Sequence, residues 1–148
     1  MESLLQTEGN AHVIRRIESL RADAPRQWGK LTLAQMLVHC QRPFLVASGE
    51  LKLKRSLLGR VFGGMAKKKF VASDAPFKRN LPTDPRFLAP EAHDVAKEQA
   101  ALVTLVRRFG AEGLRTTDPH PFFGVLESAE WDRLLAKHLD HHLRQFGA

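Results

Sequence analysis

At 148 residues, with 43% hydrophobic and 26% charged side chains, the chain reads as one globular domain, 1–148, long enough to bury a core. No run approaches the roughly 20 apolar residues of a membrane-spanning helix, the first residues lack the pattern of a signal peptide, and one cysteine, Cys40, excludes an internal disulfide framework. The net charge of +7 is concentrated: nine basic residues and one acid, Asp74, lie between Lys52 and Arg79, while charges elsewhere nearly cancel.

These totals lead to the expectation of a cytoplasmic protein without a membrane partner. The basic segment has four readings: a site for an anionic small molecule, a nucleic-acid contact, a contact with anionic headgroups, or a solvated face.

In chain order, Val13, Ile14, Ile17 and Leu20 recur at helical spacing and predict a short amphipathic helix over 10–20. Asp23, Pro25 and Gly29 mark a loop. Thr32 with Gln35 three positions on is a capping box, so the second helix is expected to start at Thr32 and to stop near Gly49. His39 falls on a flank of that helix shared with Met36, Pro43 and Val46, and Pro43 removes the backbone bond to the His39 carbonyl. Cys40, about 100° away from His39, reads as core packing.

Leu57, Leu58, Val61 and Phe62 suggest a further short helix, interrupted at Gly63-Gly64. Prolines at 76, 82, 85 and 90 argue for an extended connection, and one this long is commonly functional, as a lid is. Helix returns at Pro90-Glu91, with an inward stripe of Val95, Gln99, Leu102, Val106 and Phe109 ending at Gly110. His93 is expected to face solvent. In the next connection, His120-Pro-Phe-Phe-Gly124 supplies aromatics that can plug one end of a helical bundle, and His120 reads first as a backbone cap.

The last helix is expected to start with Ser128 as its cap. At about 100° per residue, Trp131, Leu134, Leu135, Leu139, Leu143 and Phe146 share one arc, with Arg133, Ala136, Lys137, Asp140 and Arg144 opposite. His138 and His142 fall inside the apolar arc as an i, i+4 pair, and His141 lies at its edge. Two inward imidazoles one turn apart are either ligands of one metal ion or members of a hydrogen-bonded network. The fold class is all-α, a four-helix bundle with a long connection between its second and third principal helices.

Trp28-Gly29-Lys30, the Gln35–His39 run, His120–Gly124, Glu130-Trp131 and the His-x-x-His-His-x-x-Gln string ending at Gln145 resemble one branch of the DinB/YfiT-like superfamily, a domain of unknown function. The resemblance covers nearly the whole chain. It implies an up-down-down-up four-helix bundle, often dimeric, with a divalent metal, zinc or nickel, on three histidines. Those positions correspond here to His39, His138 and His142, while His141 matches no ligand position.

Relatives of this kind include transferases and isomerases that use low-molecular-weight thiols, and hydrolases. The resemblance therefore implies a metal-dependent thiol transferase or hydrolase acting on a small molecule, for which the basic segment suits an anionic substrate or thiol cofactor. The alternative is a non-catalytic, dimeric, stress-related binding protein on the same scaffold. A specific nucleic-acid complex is disfavoured, because the basic segment lacks interleaved aromatics and a recognisable reading helix.

Overall fold

The computed structural model of the chain describes residues 2–73 and 75–148; Met1 and Asp74, the acid of the basic segment, lie outside the described residues. Among the described residues there are five α-helices and no strand: α1 (Thr7–Glu18), α2 (Leu33–Ala47), α3 (Leu57–Ala66), α4 (Val95–Glu112) and α5 (Ser128–Gln145). A π-helical turn, Lys67–Val71, continues α3, and a 3-10 turn, Pro85–Phe87, interrupts the proline-rich connection. Helices α1 and α2 each contact both α4 and α5, and the four enclose one apolar core. Ile17, Met36, Leu102 and Val106 are wholly buried there, as are Leu139 and, to 1% exposure, Trp131. Helix α3 stands outside this arrangement.

The start of α2 follows its sequence signal. The Gln35 N–H donates to Thr32 Oγ1 at 3.2 Å, and the Thr32 N–H donates to Gln35 Oε1 at 3.0 Å. Four other boundaries differ from expectation, two for tertiary reasons and two through local caps. Helix α1 begins at Thr7, not residue 10, because the amide of buried Asn10 must reach the Leu4 and Val106 carbonyls, at 2.9 and 2.8 Å. That places Asn10 well inside the helix and ties the chain start to α4. Helix α4 begins at Val95, capped by Asp94, rather than at Pro90, and His93 lies exposed before it. It also runs past Gly110 to Glu112. A Cβ at 110 would lie 2.4 Å from the Asn10 side chain, so that glycine marks a close contact, and Gly113, at φ 68°, is the stop.

The cap of α5 is Glu127, one residue before Ser128; its N–H donates to Glu130 Oε2 at 2.8 Å. Lys137, expected on the outer face of α5, is 2% exposed. The connection after α3 lies across that face, and Lys137 Nζ donates to the carbonyls of Phe70 and Ser73 at 2.9 and 2.7 Å.

Helix α3 runs through Gly63-Gly64 without interruption. Its glycine face is its contact face: a Cβ at Gly63 would lie 2.3 Å from the Phe122 carbonyl oxygen, and one at Gly59 would lie 2.7 Å from it. Gly64, by contrast, has nothing within 4 Å. The two neighbours should therefore respond oppositely to alanine. Gly64→Ala gains helix propensity of about 1 kcal/mol. Gly63→Ala forces a backbone clash that outweighs the same gain, with overpacking costing about 1–3 kcal/mol. Thermal melts of the two variants are expected to move apart, Gly64→Ala upward and Gly63→Ala downward. Equal shifts would contradict the docking of α3 on Phe122.

Candidate metal centre

Helices α2 and α5 bring three histidines to one point. One ligating nitrogen from each of His39, His138 and His142 lies within 4.8 Å of the other two. Ring centroids are 4.7 Å apart for His39 with either partner and 4.6 Å for His138 with His142. His39 is 4% exposed, whereas His138 and His142 are partly exposed. The i, i+4 spacing on α5 stacks its pair on one face. His39, which its own helix places only on a flank, is drawn inward by a carbonyl from the distant 3-10 turn.

The hydrogen bonds around the rings assign their protons. His39 Nδ1 lies 3.1 Å from the Phe87 carbonyl oxygen, which can only accept, so Nδ1 carries the proton and Nε2 holds a lone pair. The turn presenting that carbonyl is fixed by Asp84, whose carboxylate accepts the Arg86 N–H at 3.0 Å. Hydrogen bonds from the Arg86 side chain hold the Asp84 pKa below the ordinary carboxylate value.

His142 Nδ1 lies 2.8 Å from Gln145 Oε1, and Gln145 Nε2 donates to the Trp28 carbonyl at 2.7 Å. That second bond sets the amide orientation, so Oε1 accepts and His142 also keeps its proton on Nδ1. The Trp28-Gly29 turn is shaped for this contact: Gly29 has φ 81°, and a Cβ there would lie 2.3 Å from Gln145 Nε2. His138 Nε2 and His39 Nε2 face each other at 2.9 Å. With His39 protonated on Nδ1, His138 donates across this gap, to the same lone pair that a metal ion would use.

All three rings are held neutral. Burial lowers the pKa of each, and the neighbouring imidazoles lower it further: His142 falls to about 3, His138 falls well below the usual value, and His39 is lowered less because of its bond to Phe87. Three neutral imidazoles, two of them with the outer nitrogen committed to a carbonyl or amide oxygen, form the kind of donor set that divalent transition metals take. The residues present thus fit such an ion.

His141 is not part of the trio. It is half-buried, and its ring lies 5.8 Å from Trp28 and 6.1 Å from Phe77. Arg79 stacks over Trp28 with its guanidinium carbon 4.2 Å from the ring centre. The basic segment therefore brings one cation to the rim of the histidine cluster.

His120 turns out to be a structural residue. It is 8% exposed, and its Nδ1 accepts the N–H groups of Phe122 and Phe123 at 3.0 and 3.2 Å, closing the His120–Gly124 turn. Burial drives its pKa to about 3. Cys40 is wholly buried, and burial pushes its thiol pKa up, so it offers no reactive thiolate.

Sequence reasoning missed Gln145 and Phe87 as partners of the ligating rings. Gln145 had a signal, because it sits three residues after His142 on the same helical face. Phe87 had none, because it acts through its backbone.

Comparison with known proteins places the chain without assigning it a reaction. No curated protein and no solved structure matches it. Residues 1–148 match the family described as "Protein of unknown function (DUF1569)". The match spans the entire sequence, and the chain belongs to that family.

Proposed function

We propose that His39, His138 and His142 hold one divalent metal ion, zinc or nickel, and that the protein is a DinB/YfiT-like metal-dependent enzyme of the thiol-transferase or hydrolase type. The observation that carries this reading is the convergence of three neutral imidazoles within 4.8 Å, two of them with their Nδ1 protons already committed to oxygen acceptors. When bound on three imidazoles, such an ion lowers the pKa of a water or thiol at its open position and yields a nucleophile at neutral pH.

The chain's own contribution is orientation and charge. Phe87 and Gln145 fix the His39 and His142 rings. Trp28 and Phe77 flank the exposed side of the cluster around His141. Arg79 supplies a positive charge suited to an anionic thiol cofactor or substrate.

Metal analysis of the untagged protein after exposure to zinc or nickel and desalting tests the reading, with one ion per chain expected. A metal-free protein after both exposures would remove it. A second expectation probes the outer partners. Gln145→Leu leaves the ligands in place but frees the His142 ring, and should weaken metal affinity by about 10–100-fold in competition with a chelating dye. Unchanged affinity would show that Gln145 orients nothing the metal needs.

A further inference from the structure

Helix α3 turns the usual amphipathic arrangement inside out. Leu57, Val61 and Met65 are 79%, 73% and 72% exposed, and Leu58 and Phe62 are 65% and 50% exposed. Their spacing gathers all five within an arc of about 140°. The opposite side carries Gly59 and Gly63, which rest on the Phe122 backbone. A helix whose bare face is its anchor and whose large apolar face is free has been positioned to present that face. Isolated apolar side chains on a surface need no explanation, but five contiguous ones do. Lys67 Nζ donates to the Val125 carbonyl at 2.9 Å, a further tie between the end of α3 and the loop on which it docks.

The charges around the patch identify the occupant. From residue 51 to 70 every charged side chain is basic. Lys67 pairs with Glu130 at 2.8 Å and Lys52 approaches Asp118 at 3.9 Å. Lys54, Arg60, Lys68 and Lys69 are exposed, and none has an ion-pair partner among the described residues. A second copy of the chain docking face to face would bring these cations against their own counterparts. A surface that is apolar below and anionic above satisfies both features together.

We propose that α3 is an interfacial anchor that lies in the plane of an anionic phospholipid bilayer. Its five apolar side chains enter the acyl boundary, and Lys54, Arg60, Lys68 and Lys69 meet the headgroup phosphates. At 10 residues the helix is about 15 Å long. It suits an in-plane contact, and among the described residues no helix is long and apolar enough to cross a membrane. The proposal departs from the sequence-level expectation of no membrane partner, which rested on the lack of a spanning run. It is independent of metal binding.

Flotation of the untagged full chain with phosphatidylcholine vesicles, with or without phosphatidylglycerol, tests it. The protein is expected to float with the anionic vesicles and not with the neutral ones. Val61→Glu/Met65→Glu should abolish flotation. Lys68→Glu/Lys69→Glu should weaken it by at least about tenfold. All four positions are exposed, so far-UV circular dichroism should show both variants folded. Absence of flotation by the wild-type chain, or equal flotation with neutral vesicles, would overturn the proposal. So would sedimentation analysis showing a dimer that Val61→Glu/Met65→Glu dissociates, because the occupant would then be a second copy.

Discussion

His138→Ala is expected to strip the protein of its metal, and His39→Ala and His142→Ala to do the same. Each removes one of three protein ligands, and the remaining two leave no closed donor set for a divalent ion. His141→Ala is the control. It lies on the same helix between the two α5 ligands, yet its ring packs on Trp28 and Phe77 and is not one of the three converging rings. That variant should keep most of the metal. The pH at which wild-type metal is lost adds a second readout. Ligating imidazoles must be neutral, and free histidine would begin to compete for protons near its ordinary pKa of about 6.5. Burial lowers the pKa of all three rings here, so proton competition is deferred and metal retention should extend below that value. Elemental analysis of each variant after equilibration across pH gives both answers. One ion per chain in His138→Ala, or complete loss in His141→Ala, would refute the assignment.

The contrast between His39 and the α5 pair shows where sequence reading succeeds. A histidine pair at i, i+4 on an apolar arc is a local pattern, and helical period alone aims both rings the same way. His39 has no such companion. Its orientation is decided by Phe87, 48 positions along the chain, whose carbonyl accepts from its ring. The resemblance to the DinB/YfiT-like superfamily supplied His39 where periodicity did not.

The same division runs through the fold. The capping box at Thr32 and Gln35 needs only neighbouring residues, and the helix starts there. Gly110 and Gly63 misled because glycine has two uses: one frees the backbone, the other admits a close neighbour. Only the presence of Asn10 or Phe122 across the contact distinguishes them. Lys137 was placed outward by a correct helical angle, and what the angle lacked was the segment 70–73 lying over it.

The metal-free protein should begin to lose stability as pH falls below about 6.5, before most carboxylates titrate. His120 and His142 each have a folded-state pKa of about 3 against an ordinary value of 6.5, both lowered first by burial. Between those values the unfolded chain takes up protons that the folded chain refuses, so the unfolded state gains as pH falls. Stability is full above about pH 6.5 and declines below it by about 1.4 kcal/mol per pH unit for each such group. Two groups give about 3 kcal/mol per unit, and the lowered His39 and His138 act in the same direction. Against a typical total of about 5–15 kcal/mol, this is enough to unfold the chelated protein at about pH 4–5. Above about pH 5 most carboxylates are ionised in both states, so the slope there belongs to the histidines. Denaturant unfolding at a series of pH values, with chelator present, measures it. His120→Asn isolates one contribution: the amide oxygen can accept the Phe122 and Phe123 N–H groups in place of Nδ1, but it does not titrate. The slope of that variant should be shallower by about 1.4 kcal/mol per pH unit. An identical slope would mean that His120 is protonated in the folded state, and that its bonds to those two amides are not the ones the structure shows.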